Sequence, residues 1–161
     1  MDYFEAIVTT LLEHDGYWVR QSFKVNLTKE EKRVVGKPSI PRPEIDIVAF
    51  KPEPMEVLAL EAKSYLDSPG VRLDDLTAEY QEPEGRYKLF TCATYREAVL
   101  GRLRTDLEDA GMIQPRTKVR LGLVAGNVYQ KKSKEIRSLP GFQGLVLLVA
   151  RRHQNQTESY G

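Results

Sequence analysis

Two apolar segments joined by a short, proline-containing connection constrain the fold of this chain most strongly. EIDIVAF (44–50) and EVLALEAKSY (56–65) are rich in Ile, Val, Leu and Ala, and KPEP lies between them. Short apolar runs bounded by turn residues are typical of buried β-strands. We therefore predict a β-hairpin that is symmetric about Pro52 and Glu53 and belongs to a sheet with packing on both faces.

Helical periodicity is found on either side of this hairpin. Near the N-terminus, Asp2 and Glu5 have the spacing of a capping box and Gly16 is a stop signal. TYREAVLGRLRTDLEDAG shows the same periodicity, and Gly111 is a plausible cap. The faces predicted to be buried are Phe4, Ile7, Val8, Leu11 and Leu12 in the first helix, and Val99, Leu100, Leu103, Leu107 and Ala110 in the second.

The remaining segments complete an alternating order of helices and strands. YWVRQSFKVN and KVRLGLVAGNVY are predicted strands, KKSKEIRSL is a predicted basic helix, and GLVLLVAR is a predicted final strand. A short helix is predicted near 73–80, residues 27–43 are predicted to be a mobile loop, and Tyr17 and Trp18 are predicted core residues. This order predicts an α/β fold with a mixed central β-sheet flanked by α-helices.

Composition favours a soluble globular protein. The chain has 161 residues, 41% hydrophobic and 29% charged, which fits one domain over 1–152 with a disordered tail at 153–161. The longest apolar run is too short for a membrane span, and the N-terminus lacks the pattern of a secretory signal. Cys92 is the single cysteine, so it cannot form an internal disulfide, and we expect it in the core. A cytoplasmic location is the expectation.

Charge is distributed unevenly along the chain although the net charge is only +1. Residues 112–161 contain nine Lys or Arg and two Glu, a net of +7, which leaves −6 for residues 1–111. Such asymmetry is compatible with a face that binds nucleic acid. It is equally compatible with charges that average out over the folded surface.

Acidic and basic side chains converge on one end of the predicted hairpin. Residues two apart in a strand project from the same face, so Glu61 and Lys63 project together. Glu44 and Asp46 share a face in the preceding strand, while Ile45 and Ile47 take the other. The symmetric hairpin would place Asp46 opposite residue 59, as a diagonal neighbour of Glu61.

Two carboxylates this close repel each other unless one is protonated or a cation lies between them. Mg²⁺ prefers oxygen ligands and is commonly bound by one or two carboxylates together with phosphate oxygens of a substrate. A lysine beside the metal could orient a water molecule and neutralise charge on a phosphate. Asp46, Glu61 and Lys63 thus supply the residue types of metal-assisted phosphodiester hydrolysis.

The order of a helical Glu, a strand Asp and a Glu-x-Lys resembles the PD-(D/E)XK nuclease superfamily, which has the restriction-endonuclease-like fold. FEAIVTTLLEHDGYWVRQS, RPEIDIVAF and LALEAKS look most similar to the archaeal Holliday-junction resolvase and Mrr-like branch. The resemblance covers roughly residues 2–65 and implies a DNA endonuclease that uses Mg²⁺, with Mn²⁺ as a possible substitute. Related resolvases act as homodimers, so it also suggests a homodimer.

Specific roles follow from this resemblance. It implies that Asp46, Glu61, Glu5 and the backbone carbonyl of Ala62 bind metal and that Lys63 is the catalytic lysine. Glu13 is the alternative helix carboxylate. The Pro of the family name is not directly before the Asp, because Pro43 lies three residues earlier. Glu44 is therefore an alternative ligand. Residues predicted to contact DNA phosphates are Arg20, Lys24, Arg42, Lys131, Lys132 and Lys134.

Simpler interpretations remain open for each of these residues. Asp46 could be a strand-end carboxylate that binds a loop amide, and Glu61 and Lys63 could form an exposed ion pair worth at most about 1 kcal/mol. Glu5 could serve only the capping box, and the lysines could lie on a solvated face. Two other functions are open: a non-catalytic nucleic-acid-binding or scaffolding domain, and an Mg²⁺-dependent phosphoesterase that acts on small molecules.

Overall fold

The computed structural model describes residues 2–65, 69–126, 133–137 and 146–149. Its central feature is a five-stranded sheet with the strand order β1-β2-β3-β4-β5. The strands are β1 (Trp18–Lys24), β2 (Glu44–Lys51), β3 (Glu56–Lys63), β4 (Lys118–Ala125) and β5 (Val146–Val149). The helices are α1 (Tyr3–His14), α2 (Lys29–Val35), α3 (Leu73–Thr77), α4 (Lys88–Thr91), α5 (Ala93–Asp109) and α6 (Ser133–Arg137).

The sheet is mixed. β1, β2 and β3 form antiparallel pairs, whereas β3, β4 and β5 are parallel. Parallel neighbours need a crossover connection, and α3, α4 and α5 lie in the one that joins β3 to β4. The predicted α/β fold with a mixed central sheet flanked by helices is confirmed.

Alternate residues of the sheet divide the core into two layers. Val57 and Ala59 of β3 belong to a large cluster that includes side chains from α2, α3, α4 and α5. Leu58 and Leu60 belong to a second cluster with Phe4 and other residues of α1. β3 is buried from both sides, which explains its nearly continuous apolar sequence.

Helix α2 contradicts the prediction of a mobile loop over 27–43. Thr28 caps this helix by accepting a hydrogen bond from the N–H of Glu31, and the Glu31 carboxylate accepts one from the N–H of Thr28. Gly36 ends the helix with a φ of +83°, a conformation that glycine adopts without strain. Val35 is buried in the large cluster, so this short helix is attached to the core as well as capped.

The hairpin is centred one residue later than the sequence predicted. β2 pairs with β3 in a register that places Lys51 against Glu56 and Ile47 against Leu60. The connection is therefore residues 52–55, centred on Glu53 and Pro54 rather than on Pro52 and Glu53. Proline has no N–H to donate to a ladder, so neither Pro52 nor Pro54 can extend the strand pairing inward. The ladder ends at Ile47 and Leu60, and its register, if continued by one pair, would place Asp46 opposite Glu61 rather than opposite residue 59.

Strict alternation fails in β2 at Asp46. Ile45 packs in the large cluster, whereas Ile47 packs against α1, although alternation would place both on one face. The pairing of β1 with β2 skips Ser22 and Asp46, and Ser22 has a φ of +52°. The sequence prediction that Ile45 and Ile47 share a face was therefore wrong, because the backbone is distorted where Asp46 leaves the ladder.

The first helix buries a narrower stripe than expected. Phe4, Val8 and Leu12 are buried, but Ile7 and Leu11 are 58% and 63% exposed. In α5 the predicted residues Val99, Leu103 and Leu107 are buried together with Tyr95, while Leu100 is only partly buried and Ala110 is exposed. Trp18 lies on the edge strand and is 76% exposed, which contradicts its assignment to the core; Tyr17 is partly buried.

The predictions made for α3, Cys92, α6 and β5 agree with the structure. The helix predicted near 73–80 is α3, and Cys92 is buried as expected. The predicted basic helix and final strand correspond to α6 and β5. The proposed tail at 153–161 lies outside the described residues. Within the described ranges, no helix combines the length and the apolar character needed to cross a membrane.

Candidate active site

Asp46 and Glu61 meet where the ladder between β2 and β3 ends. The last ladder pair is Ile47 with Leu60, and beyond it the N–H of Ala62 donates to Oδ2 of Asp46 at 2.8 Å. Asp46 and Glu61 are also close enough for the charge of one to act on the other. The backbone distortion thus lets Asp46 take the Ala62 amide and direct its carboxylate towards Glu61.

The environment of Glu61 favours its protonated form. Burial raises the pKa of Glu61 to about 8, and the neighbouring charge of Asp46 contributes in the same direction. The positive charge of Lys63 opposes this pKa shift only in part. At neutral pH the protonated form of Glu61 is therefore favoured, since burial and a neighbouring like charge both disfavour its charged form.

Glu5 is the third acid at this site. It lies in the first turn of α1 and is partly buried. Burial raises the pKa of Glu5, and the negative charge of Asp46 adds to that rise. Glu13 lies eight residues further along the same helix, about 12 Å at 1.5 Å per residue, and is exposed. Of the two glutamates considered, Glu5 is the one that interacts with the pair.

Glu44 is engaged by a cation from the neighbouring strand. Lys24 lies opposite Glu44 in the ladder between β1 and β2, and the two side chains form an ion pair. Hydrogen bonding to Lys24 holds the pKa of Glu44 below its ordinary value. Glu44 also lines a cavity of about 70 Å³ that Glu61 reaches. It remains close enough to be an alternative ligand, but only in competition with Lys24.

Lys63 lies at the end of β3, two residues beyond Glu61. Its Nζ lies 5.9 Å from the centre of the Tyr87 ring, a geometry in which the ring face attracts a cation. The backbone carbonyl of Lys63 accepts a hydrogen bond from the N–H of Gly126 at 2.9 Å. The backbone of Lys63 is therefore hydrogen-bonded to the residue that follows β4, and an aromatic ring lies near its amine.

Sequence reasoning missed a group of residues beside Lys63. The hydroxyl of Tyr65 accepts hydrogen bonds from Nη1 of Arg86 and from the hydroxyl of Tyr87, both at 3.3 Å. On α5, Tyr95 is buried near Glu61, and burial, followed by that negative charge, raises the pKa of Tyr95 to about 12. Tyr65 alone could have been suspected, since it closely follows the Glu-x-Lys; no periodic pattern links it to residues 86–95.

The carboxyl oxygens of this site suit a hard cation such as Mg²⁺ once Glu61 has lost its proton. Among the described residues, no group of three or more His, Cys, Asp or Glu side chains is arranged to hold a metal ion. The two carboxyl groups whose charges interact belong to Asp46 and Glu61, and the raised pKa of Glu61 favours a proton on that group at neutral pH. Removing that proton leaves two carboxylates, with Glu5 nearby, an all-oxygen set of the kind that Mg²⁺ prefers. The carbonyl of Ala62 stays a predicted ligand.

The residues predicted to contact DNA are spread over the molecule. Lys24 adjoins the site through Glu44, and Arg42 is an exposed residue just before β2. Arg20 lies opposite Val48, further along β1, with its guanidinium 5.1 Å from the Phe23 ring centre. Lys134 is exposed on α6. Lys131 and Lys132 lie outside the described residues.

Comparison with known proteins adds little to this description. No protein-family model matches the chain, and no curated protein matches it. A crystal structure of a protein of unknown function, AF1548, is similar over 90% of this chain, with 16% sequence identity and a TM-score of 0.41. This chain covers 55% of the length of that protein.

Proposed function

We propose that this protein is a Mg²⁺-dependent DNA endonuclease of the PD-(D/E)XK type, with a restriction-endonuclease-like fold. One observation carries the proposal: Asp46, whose carboxylate accepts a hydrogen bond from the N–H of Ala62, lies beside Glu61 of the adjacent strand, with Lys63 on the same strand as Glu61. A structural ion pair would need only Glu61 and Lys63. A second acid that competes with Lys63 for Glu61 is the arrangement expected of a cation site.

Each residue has a distinct role in this proposal. Asp46 and Glu61 bind the cation once Glu61 has lost its proton, and Glu5 adds negative charge from α1. The cation, when bound, supplies a Lewis acid for the phosphate and lowers the pKa of a water molecule. Lys63 orients the attacking water and balances charge on the phosphate oxygens. DNA affinity comes largely from phosphate contacts and falls with salt.

A cleavage assay tests the proposal. Labelled duplex, nicked, flapped and four-way DNA are incubated with the protein in Mg²⁺, Mn²⁺ or EDTA. We expect metal-dependent cleavage that falls by at least about 100-fold in Asp46→Asn and Lys63→Ala. Lys118→Ala is the matched control, because Lys118 is an exposed lysine at the opposite end of the sheet. Cleavage that persists in EDTA or in Lys63→Ala would refute the proposal.

A non-catalytic nucleic-acid-binding domain is the second candidate. It is favoured by the lack of a ready-made cluster of three or more metal-binding side chains among the residues that the structure describes. Salt-sensitive DNA binding without cleavage in any metal, unchanged by Asp46→Asn, would support this function. The two candidates therefore differ in whether Asp46 matters for anything beyond folding.

A further inference from the structure

A second cavity lies beside the candidate active site and has no assigned role. Its volume is about 420 Å³, within the range of pockets that bind small ligands. The cavity is enclosed by Tyr65, which lies two residues after β3, by the region around α3, and by the segment that leads into α4. Its side chains fall into three chemical groups: the tyrosines Tyr65, Tyr80 and Tyr87, the arginines Arg72 and Arg86, and the acids Asp74, Asp75 and Glu84.

This composition suits a planar ligand with amino groups better than an isolated phosphate. Three acids outnumber two arginines in the lining, so the cavity has no excess of positive charge. Tyrosine rings stack on nucleobases irrespective of sequence, since every base has a flat π-face. Carboxylates such as Asp74 and Glu84 accept hydrogen bonds from exocyclic amino groups of bases.

The cavity and the candidate active site are neighbours that both contact Tyr87. The ring of Tyr87 lines the cavity, and the amine of Lys63 lies 5.9 Å from the centre of that ring. Tyr65, two residues beyond Lys63, lines the cavity and is hydrogen-bonded to Tyr87 and Arg86. Tyr65 and Tyr87 therefore place the cavity next to the amine of Lys63, where the proposed function puts a phosphate of the substrate.

We propose that this cavity binds one unpaired nucleobase of the DNA substrate, next to the phosphate held at Lys63. The inference rests on the proposed nuclease function and narrows its substrate class. A base that is stacked and paired inside a duplex cannot enter a cavity in the protein, and extracting it costs a few kcal/mol. DNA with an unpaired nucleotide at the cleavage position avoids this cost, so flaps, gaps or mismatches are the preferred substrates.

Binding can be measured independently of cleavage. The probe is a DNA hairpin with a single unpaired 2-aminopurine, a fluorescent base whose emission falls when it stacks on an aromatic ring, and EDTA is present throughout. We compare the wild type with Tyr80→Ala and Tyr80→Phe, because Tyr80 is 44% exposed and its ring can be removed without opening the core. Tyr3→Ala is the matched control, since Tyr3 is 90% exposed on α1.

We expect quenching of 2-aminopurine in the wild type and in Tyr80→Phe, and an affinity about tenfold or more weaker in Tyr80→Ala. The Tyr3→Ala variant should bind as the wild type does. A fully paired hairpin should bind more weakly than the unpaired probe, and Tyr80→Ala should not change its affinity. If Tyr80→Ala leaves the affinity for the unpaired probe unchanged, or weakens both hairpins equally, the inference is overturned.

The two proposals fail in different ways. If the probe is quenched in a Tyr80-dependent manner but no metal supports cleavage, the cavity binds a base and the nuclease function is wrong. If cleavage requires Mg²⁺ and Lys63 but proceeds equally on paired and unpaired DNA, the nuclease function stands and the base-binding cavity is overturned.

Discussion

The raised pKa of Glu61, beside the charge of Asp46, is the feature that governs the candidate site at the scale of single residues. A carboxyl group with a raised pKa is neutral when the protein is free of metal, so it avoids repulsion from its neighbour. If the site holds a cation as proposed, Glu61 must first lose its proton, because metal-binding carboxyl groups are deprotonated. Cation binding at the proposed site would therefore be favoured by higher pH.

The pKa of Glu61 predicts a pH-dependent stability in EDTA. Between pH 4.5, the ordinary pKa of the group, and about pH 8, its folded value, the folded protein keeps a proton that the unfolded chain has lost. The free energy of unfolding therefore falls as pH rises through this window, by an amount on the order of a few kcal/mol. Urea denaturation of wild type and Glu61→Gln at pH 5, 6, 7 and 8 measures it.

Glu61→Gln should remove most of this dependence and should be more stable than the wild type at pH 8. Glu97→Gln is the control, since Glu97 is exposed on the long helix α5 and should retain the wild-type pH profile. Parallel profiles for wild type and Glu61→Gln would show that the carboxyl group does not hold its proton in the folded state.

At this scale the sequence identified the acids and the lysine but not their neighbours. Asp46, Glu61 and Lys63 stand out because charged residues at the ends of apolar strands are uncommon. The resemblance favoured Glu5 over Glu13, and the structure adds that Glu5 is the one whose pKa is raised by the charge of Asp46. Tyr87 could not be predicted, since its approach to Lys63 depends on the irregular path of the chain between β3 and α4.

At the scale of elements, α1 shows how burial rather than periodicity determines the contribution of a residue. Leu11 and Leu12 are adjacent in one helix, but Leu11 is 63% exposed and Leu12 is 6% exposed. The apolar pattern of the sequence placed both on the buried face. It could not distinguish them, because the width of the buried stripe depends on how closely the helix approaches the sheet.

These two leucines make a matched pair for a stability measurement. Leu12→Ala should lower the free energy of unfolding by about 2–5 kcal/mol, because it removes buried methyl groups and leaves a cavity. Leu11→Ala should change it by no more than about 0.5 kcal/mol. Chemical denaturation of both variants tests this; similar losses would mean that the exposed stripe of α1 is covered in solution.

The capping of α2 gives a second prediction at this scale. Thr28→Ala removes the acceptor for the N–H of Glu31, so it should destabilise the protein by about 1 kcal/mol. Thr10→Ala is the control: Thr10 lies inside α1, and alanine has the higher helix propensity, so little change or a slight gain is expected. The denaturant midpoints of both variants measure the loss of stability. Equal losses of stability in Thr28→Ala and Thr10→Ala would contradict the role of the cap.

The helix α2 was missed although its capping box is legible in the sequence. Thr28 and Glu31 have the right spacing and Gly36 is a proper stop, but the charges and prolines of 27–43 suggested a loop. A tertiary contact stabilises this short helix: Nη2 of Arg102 in α5 lies 2.6 Å from Oε1 of Glu31. Local propensity alone cannot stabilise a seven-residue helix in water.

At the scale of the whole molecule, the order of elements was largely predictable because the strands are strongly apolar. Their register was not, since it depends on how Pro52 and Pro54 are accommodated in the connection. The two-residue difference in register preserved the faces of β3 and left Asp46 at the end of the ladder, bonded to the amide of Ala62 beside Glu61. The site therefore survived an incorrect register, which a shift of one residue would not have allowed.

Salt dependence tests the proposed DNA contacts on this scale. The logarithm of the binding constant should fall linearly with the logarithm of salt concentration, because phosphate contacts release counterions. Arg42→Ala should reduce the magnitude of this slope by about one, since Arg42 is exposed beside the start of β2. Fluorescence anisotropy at several salt concentrations measures the slope. Lys118→Ala should leave it unchanged, and an unaltered slope in Arg42→Ala would exclude that contact.

The exposure of Trp18 has a practical consequence for laboratory work. It is the chain's one tryptophan, and its indole is already largely hydrated in the native state. Denaturation should therefore shift the emission wavelength of Trp18 little. A thermal denaturation curve followed by tryptophan fluorescence should then show little of the loss of structure. Circular dichroism is the better measure of folding. The fluorescence of the indole, to which no other tryptophan contributes, can instead report on a molecule that binds at the outer edge of β1.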